Sequence, residues 1–334
     1  MPWTFYKSTD QDAPVLTGQA DSLIALLDAC LVNGYGSGAN EKAAAGWSKA
    51  FTGTNKAAYR AGAAARARFF VRVENTNQNG LLTTWETMSS VDDGSGRVPL
   101  ASGQANSYIL VAASASADST PRPWVIIADS RTAILLIKHG GQSSHGTHYT
   151  SAWTPSIFGE IVSYRHVDPY QFGIFGSPYD FGFDSAILDT WSASSTLAGR
   201  PGMYLSRDHT GLPGSKPVAV IPPFGVGGIY PESQYGKAIQ GRWGAVNPAD
   251  AKVWMVPIAL REWTGTTRCI RGHLRGIRWA ICNYDSYADG DVVTDGEGLP
   301  WTYYRCRMGY VATFSQTFEE PAGIFVANNL PPVS

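Results

Sequence analysis

The stretch Trp124-Val125-Ile126-Ile127-Ala128-Asp129-Ser130-Arg131-Thr132-Ala133-Ile134-Leu135-Leu136-Ile137 decides the class of fold. Two apolar runs flank a tight Ser130-Arg131 connection, which is the signature of an antiparallel hairpin. A strand with one wet face alternates apolar and polar residues, and neither run does so. The hairpin is therefore expected to be buried on both faces or to lie at an interface.

Outward from it the period-two pattern continues in both directions. Upstream, residues 58–60, 68–74 and 83–91 read as short strands separated by the turn-forming runs 75–80 and 92–96. Downstream, a strand is expected over 159–166, followed by an irregular layer over 168–202. Further strands are expected over 217–221, 253–262, 269–274, 277–282, 303–314 and 323–327. One helix interrupts the pattern. Leu23, Leu26, Leu27, Cys30 and Leu31 recur at three- and four-residue steps within 19–33, with Thr17 as the expected N-cap and Gly34 as a left-handed C-terminal residue. The following Gly34-Tyr35-Gly36-Ser37-Gly38-Ala39 fits a dinucleotide-binding pattern only superficially, because it follows a helix instead of leading from a strand into one. It reads as a cap and loop.

These elements predict a mainly β (α+β) protein. An N-terminal helix packs on meandering antiparallel sheets in residues 1–200, and a C-terminal β-sandwich or barrel domain occupies 201–334, with flexible arms at 1–14 and 330–334.

Composition sets the outer limits. With 26 Lys plus Arg against 27 Asp plus Glu in 334 residues, the chain lacks the cationic excess of a general polyanion binder, and no specific nucleic-acid partner is expected. At 44% hydrophobic residues it carries too much apolar surface for disorder. Charged residues are sparse at 16%, while 36 glycines and 20 prolines supply turn chemistry, which suits a β-rich chain with covered surfaces. There is no basic leader followed by an apolar segment and no long apolar span. Synthesis in a reducing cytoplasm, without export or membrane insertion, is the expectation.

The sequence has no nucleophile elbow, Walker A loop or His-Glu-x-x-His, and no catalytic role is expected. His139, His145 and His148 share a glycine-rich loop that enforces no ligand geometry, and the acidic run 285–297 departs from the EF-hand order. Both read as polar surface loops. Cys269 and Cys282 bracket an expected hairpin turning at Leu274-Arg275-Gly276, which would set them opposite one another as a bridge or as two buried thiols. A zinc site adding Cys306 and His273 is the remote alternative, and no metal or cofactor is expected.

The clearest electrostatic feature is a basic strip of Arg261, Arg268, Arg271, Arg275 and Arg278, broken only by Glu262. Arginine's planar fork suits desolvated contacts with carboxylates, so Arg268, Arg271, Arg275 and Arg278 form the candidate interface. The alternatives are a solvated strand face paired with the nearby acidic run, or a nucleic-acid contact. Eleven tryptophans and sixteen tyrosines serve either the core or exposed stacking platforms.

The run from Ala13 to Gly36 resembles the opening of a family of tailed-bacteriophage virion proteins, and similar marks recur at 45–60, at Arg122-Pro123-Trp124-Val125 with Ala128-Asp129, and at 270–277. The resemblance implies a noncatalytic structural component of the virion, assembled in the host cytoplasm. Its expected partners are itself, as a homo-oligomer, and other virion proteins at the neck, at the collar or on the head, where it decorates the capsid or makes the head–tail connection. The alternative is a receptor-binding module, on a tail or fibre, whose exposed aromatics stack on surface sugars. A glycan-cleaving enzyme with paired carboxylates stands third.

Overall fold

The computed structural model describes residues 3–99, 108–140, 153–165, 167–178, 203–215, 218–220, 252–253, 255–264, 267–280, 287–307, 311–313, 316–318 and 321–328. The described residues are mainly β, with one short α-helix among them, as the patterning predicts.

The 124–137 hairpin forms the heart of a seven-stranded antiparallel sheet. Its strands run in the order Thr4–Lys7, Trp124–Ala128, Thr132–Ile137, Thr154–Glu160, Phe172–Phe175, Met203–Arg207 and Pro213–Ser215. Every residue of the two hairpin strands is buried. The reason is a layer on each side. Alternate side chains of a strand point to opposite faces, so Ile126, Leu135 and Ile137 enter one core with the helix and a six-stranded N-terminal sheet. Val125, Ile127, Ile134 and Leu136 enter a second core, against an eight-stranded C-terminal sheet. Each such aliphatic side chain contributes roughly 1.5–3 kcal/mol on burial.

The N-terminal sheet orders Ser177–Pro178, Ile109–Ala112, Asn79–Trp85, Phe70–Glu74, Lys56–Arg60 and Ser48–Gly53. The C-terminal sheet orders Val218–Val220, Met255–Thr264, Thr267–Ala280, Pro321–Ala327, Pro300–Arg307, Val292–Asp295 and Lys252–Val253, with Val162–Ser163 also paired to Thr267–Ala280. The central sheet draws strands from both sides of residue 200, where the composition suggested a boundary. The N-terminal arm is likewise not free: Thr4–Lys7 is the sheet's outer strand, Tyr6 is fully buried and Trp3 lies in the second core. Residues 329–334 lie outside the described residues. The expected irregular layer at 168–202 contains the strand Phe172–Phe175, and 179–202 lie outside the described residues.

Leu23, Leu26, Leu27, Cys30 and Leu31 all reach the first core, as the periodicity requires. The helix starts later than expected, at Ser22, and changes at Asp28 from α to the wider π winding. Thr17 does not cap it. Its hydroxyl accepts from the Gln19 amide at 3.2 Å, while the Leu23 amide donates to the Asn75 side chain at 2.9 Å. A buried asparagine from a distant turn thus supplies the acceptor that a local N-cap normally provides.

The expected hairpin at Leu274-Arg275-Gly276 is absent. Thr267–Ala280 is one continuous strand, paired antiparallel to Met255–Thr264 with Thr264 opposite Thr267. What the sequence encodes at 274–276 is a bulge. The register jumps from Pro257 opposite Arg278 to Ala259 opposite His273, so Leu274 to Ile277 face the single residue Ile258. Gly276 takes a φ of +71°, and an added Cβ would sit 2.7 Å from the Trp3 ring. A smaller bulge leaves Arg271 unpaired between Gly272, opposite Leu260, and Ile270, opposite Arg261. Cys269 is a free thiol opposite Glu262, and Cys282 lies outside the described residues.

Candidate functional site

Bulges re-aim side chains, and the two in Thr267–Ala280 direct two arginines inward. Arg275 reaches the turn of the central hairpin. Its Nη1 and Nη2 donate to the two carboxylate oxygens of Asp129 at 2.8 and 2.6 Å, and its guanidinium lies 5.0 Å from the centre of the Trp3 ring. Asp129 also accepts from the amides of Arg131 and Thr132, which closes the turn, and its carbonyl accepts from Trp47 Nε1 at 2.7 Å. One aspartate thereby ties all three layers together.

Arg271 turns toward the other end of the interface. Nε and Nη2 grip Asp168, each at 2.7 Å, and Nη1 reaches Glu262 Oε2 at 3.4 Å. All three side chains are 2% exposed or less. Burial alone would raise the Asp168 carboxyl; the Arg271 fork, the Ser163 hydroxyl and the Tyr170 amide outweigh it and hold the group below its ordinary value. The Ser163 hydroxyl donates to Asp168 at 2.7 Å, while Val162 and Ser163 pair with His273 and Gly272.

Around Glu262 more groups converge. Its Oε2 accepts from the His209 amide at 2.9 Å, and His209 Nδ1 lies 3.2 Å away. Cys269 Sγ lies 4.0 Å from the same oxygen. His209 is fixed by its own turn, in which Asp208 Oδ1 accepts from the Thr210 and Leu212 amides and from the Thr210 hydroxyl. Burial first, then the neighbouring Glu262 charge, push the Cys269 thiol up. That is the opposite of the depressed pKa that activates a cysteine nucleophile beside a histidine.

The candidate interface is thus corrected in its middle. Arg271 and Arg275 are buried in the chain's own ion pairs and present no outer surface, because each sits at a bulge that aims it at a carboxylate. Arg278 is half-buried, bonded to Asp295 of the acidic run at 3.0 Å and stacked on Trp301. The side chain of Arg268 lies outside the described residues. Asp295 itself is a buried turn anchor that accepts from the amides of Glu297 and Leu299 and from Trp301 Nε1, not a solvated group. His139 is buried next to the central sheet, and His145 and His148 lie outside the described residues. Cys306 is enclosed in the second core, and His273 faces Tyr164 at 3.2 Å, so neither joins Cys269.

Sequence spacing could not reveal the cluster, since Asp168 and Arg271 are 103 residues apart and His209 and Glu262 are 53 apart. The available signal was charge embedded in an otherwise apolar strand, which marks a buried partner.

Among the described residues, four of the six exposed large hydrophobic ones stand on the segments that meet at this end: Tyr164, Val167, Leu212 and Ile270. The Tyr164 amide bonds to the Arg271 carbonyl, next to Ile270, and Leu212 closes the His209 turn. No family model matches the chain, and no curated protein matches its sequence.

Proposed function

We propose that this protein is a noncatalytic structural component of a tailed-bacteriophage virion, assembling with copies of itself and with neighbouring virion proteins at the neck or collar or on the head. The observation that carries the reading is where the marks of the resemblance fall. The 13–36 run supplies the helix of the first core, 45–60 supplies a hairpin of the N-terminal sheet, 122–129 supplies the central strand with Asp129, and 270–277 supplies Arg271, Gly272, Arg275 and Gly276. All four stretches hold the layers together. A sequence signature made of framework residues fits a family selected for shape.

Contact with neighbours is assigned to the apolar surface of Tyr164, Val167, Leu212 and Ile270 in place of the arginine strip. For the receptor-binding alternative, five of the six tryptophans whose side chains are described, Trp3, Trp47, Trp124, Trp153 and Trp301, are buried, and Trp85 is half-buried. Light scattering on the purified chain at tens of micromolar tests the reading. The expected mass is a defined multiple of 35.9 kDa, reduced toward one chain by Tyr164→Ser with Ile270→Ser. A single-chain mass for the unmodified protein, together with its absence from purified particles, would sink the proposal.

A further inference from the structure

We infer that His209, Glu262 and Cys269 form a binding site for a zinc-type divalent cation, independently of the assembly reading. Their ligand atoms, one imidazole nitrogen, one carboxylate oxygen and one sulfur, all lie within 4.8 Å of one another, the one such grouping among the described residues. This mixture of nitrogen, oxygen and sulfur donors suits zinc, whereas the hard cations calcium and magnesium take oxygen alone.

The geometry is close to what coordination requires. With zinc–nitrogen and zinc–oxygen distances near 2.0 Å and zinc–sulfur near 2.3 Å, the donors of a tetrahedral site stand about 3.3–3.6 Å apart. Here Nδ1 and Oε2 are 3.2 Å apart and Sγ and Oε2 are 4.0 Å apart. No pair of the three exceeds 4.8 Å, so against the roughly 3.5 Å of a tetrahedral nitrogen–sulfur pair closing the site takes a shift of at most about 1.3 Å, the scale of a side-chain adjustment at Cys269.

The backbone already holds the three donors in place. Glu262 and Cys269 are direct partners across the Met255–Thr264 and Thr267–Ala280 hairpin, and the Asp208 turn presents His209 from the end of a central-sheet strand. Outer contacts are present as well. The His209 amide and, more weakly, Arg271 Nη1 donate to Glu262 Oε2, the oxygen that would also face the cation, at 2.9 and 3.4 Å. Arg271 keeps its two shorter bonds to Asp168, so it need not leave for a cation to enter. Glu262 is buried, while His209 and Cys269 are half-buried and therefore reachable from solvent.

Binding is simple coordination: the cation takes lone pairs from Nδ1, Oε2 and Sγ, and the thiol proton leaves to solvent. The ion would clip the Asp208–Leu212 turn of the central sheet to the C-terminal hairpin.

The test uses the full chain, stripped with chelator under reducing conditions and then given zinc chloride or cobalt chloride alone. One equivalent of zinc is expected to bind and raise the unfolding midpoint, and cobalt is expected to give a thiolate charge-transfer band. Both signals should vanish in Cys269→Ser and in His209→Asn, whose metal-free unfolding midpoints are compared with that of the parent chain. Should either variant fold poorly, alkylation of the parent chain decides: one equivalent of zinc is expected to slow modification of Cys269 at least tenfold. Unchanged alkylation, no stoichiometric uptake, or uptake that survives both substitutions in folded protein overturns the site.

Discussion

Arg275 and Arg271 lie four residues apart on one strand and are both buried against aspartate, yet their surroundings differ in stoichiometry. Arg275 faces a single carboxylate. Asp129 takes both of its terminal nitrogens, Trp3 covers its face, and Nε has no hydrogen-bond partner among the described residues. Arg271 is shared between two carboxylates, and the one it holds less tightly, Glu262, also gathers a histidine and a cysteine. The first cluster is a closed joint between layers. In the second, four contacts from three residues converge on one carboxylate oxygen, Glu262 Oε2. A buried ion pair is therefore read better by counting the charges and donor atoms that share it than by its distances alone.

The largest effect is expected at the closed joint. Asp129→Ala strands a buried guanidinium and removes the acceptor that closes the hairpin turn, a loss of about 3–5 kcal/mol in denaturant unfolding. The pair replacement Asp129→Leu with Arg275→Met should recover part of that loss, since it leaves no lone charge. A midpoint unmoved by Asp129→Ala would mean that the layers do not depend on this joint.

At the shared cluster the two carboxylates should behave unequally. Asp168→Asn is expected to cost nearly as much, about 3 kcal/mol, because it breaks the two 2.7 Å bonds of Arg271. Glu262→Gln, which leaves those bonds in place, should cost about 1–2 kcal/mol. Equal losses would show that Arg271 belongs to both carboxylates alike.

The smallest effect is on acid sensitivity. Asp168 titrates lower in the folded chain than its ordinary 3.8, so its contribution is complete above that value and is lost as pH falls through the folded pKa. The stability gap between the parent chain and Asp168→Asn should therefore narrow as the pH falls below the ordinary carboxylate value of 3.8. Glu160 works in the opposite sense. Burial raises it despite the bond from the Ala67 amide, so its shift adds stability as the medium is acidified. A gap that stays constant on acidification would mean that Asp168 is not held ionised by Arg271.

The comparison also shows how far the sequence could be read. The central hairpin was legible because burial on both faces leaves an uninterrupted apolar run, and the helix because five of its six core residues follow one stripe, Ile24 being the sixth. The 274–276 segment misled because glycine beside arginine signals a turn, and a turn and a bulge use the same left-handed glycine. Nothing local distinguishes them. The difference lies in Trp3 and Asp129, more than a hundred residues away in the chain, which give the bulge something to pack and pair against. The cluster at Glu262 was hidden for the same reason: its members come from three segments whose meeting is a property of the sheets.

The doubly covered hairpin has a consequence for synthesis. The second face of the central sheet, with Val125, Ile127, Ile134 and Leu136, is covered by residues 258–326. Well over a hundred residues must therefore be translated between the hairpin and its cover. At about 5–20 residues per second, that apolar face waits roughly ten to forty seconds on the ribosome before its partner sheet exists. A nascent chain halted near residue 220 should accordingly hold a chaperone that one halted beyond the last strand has released.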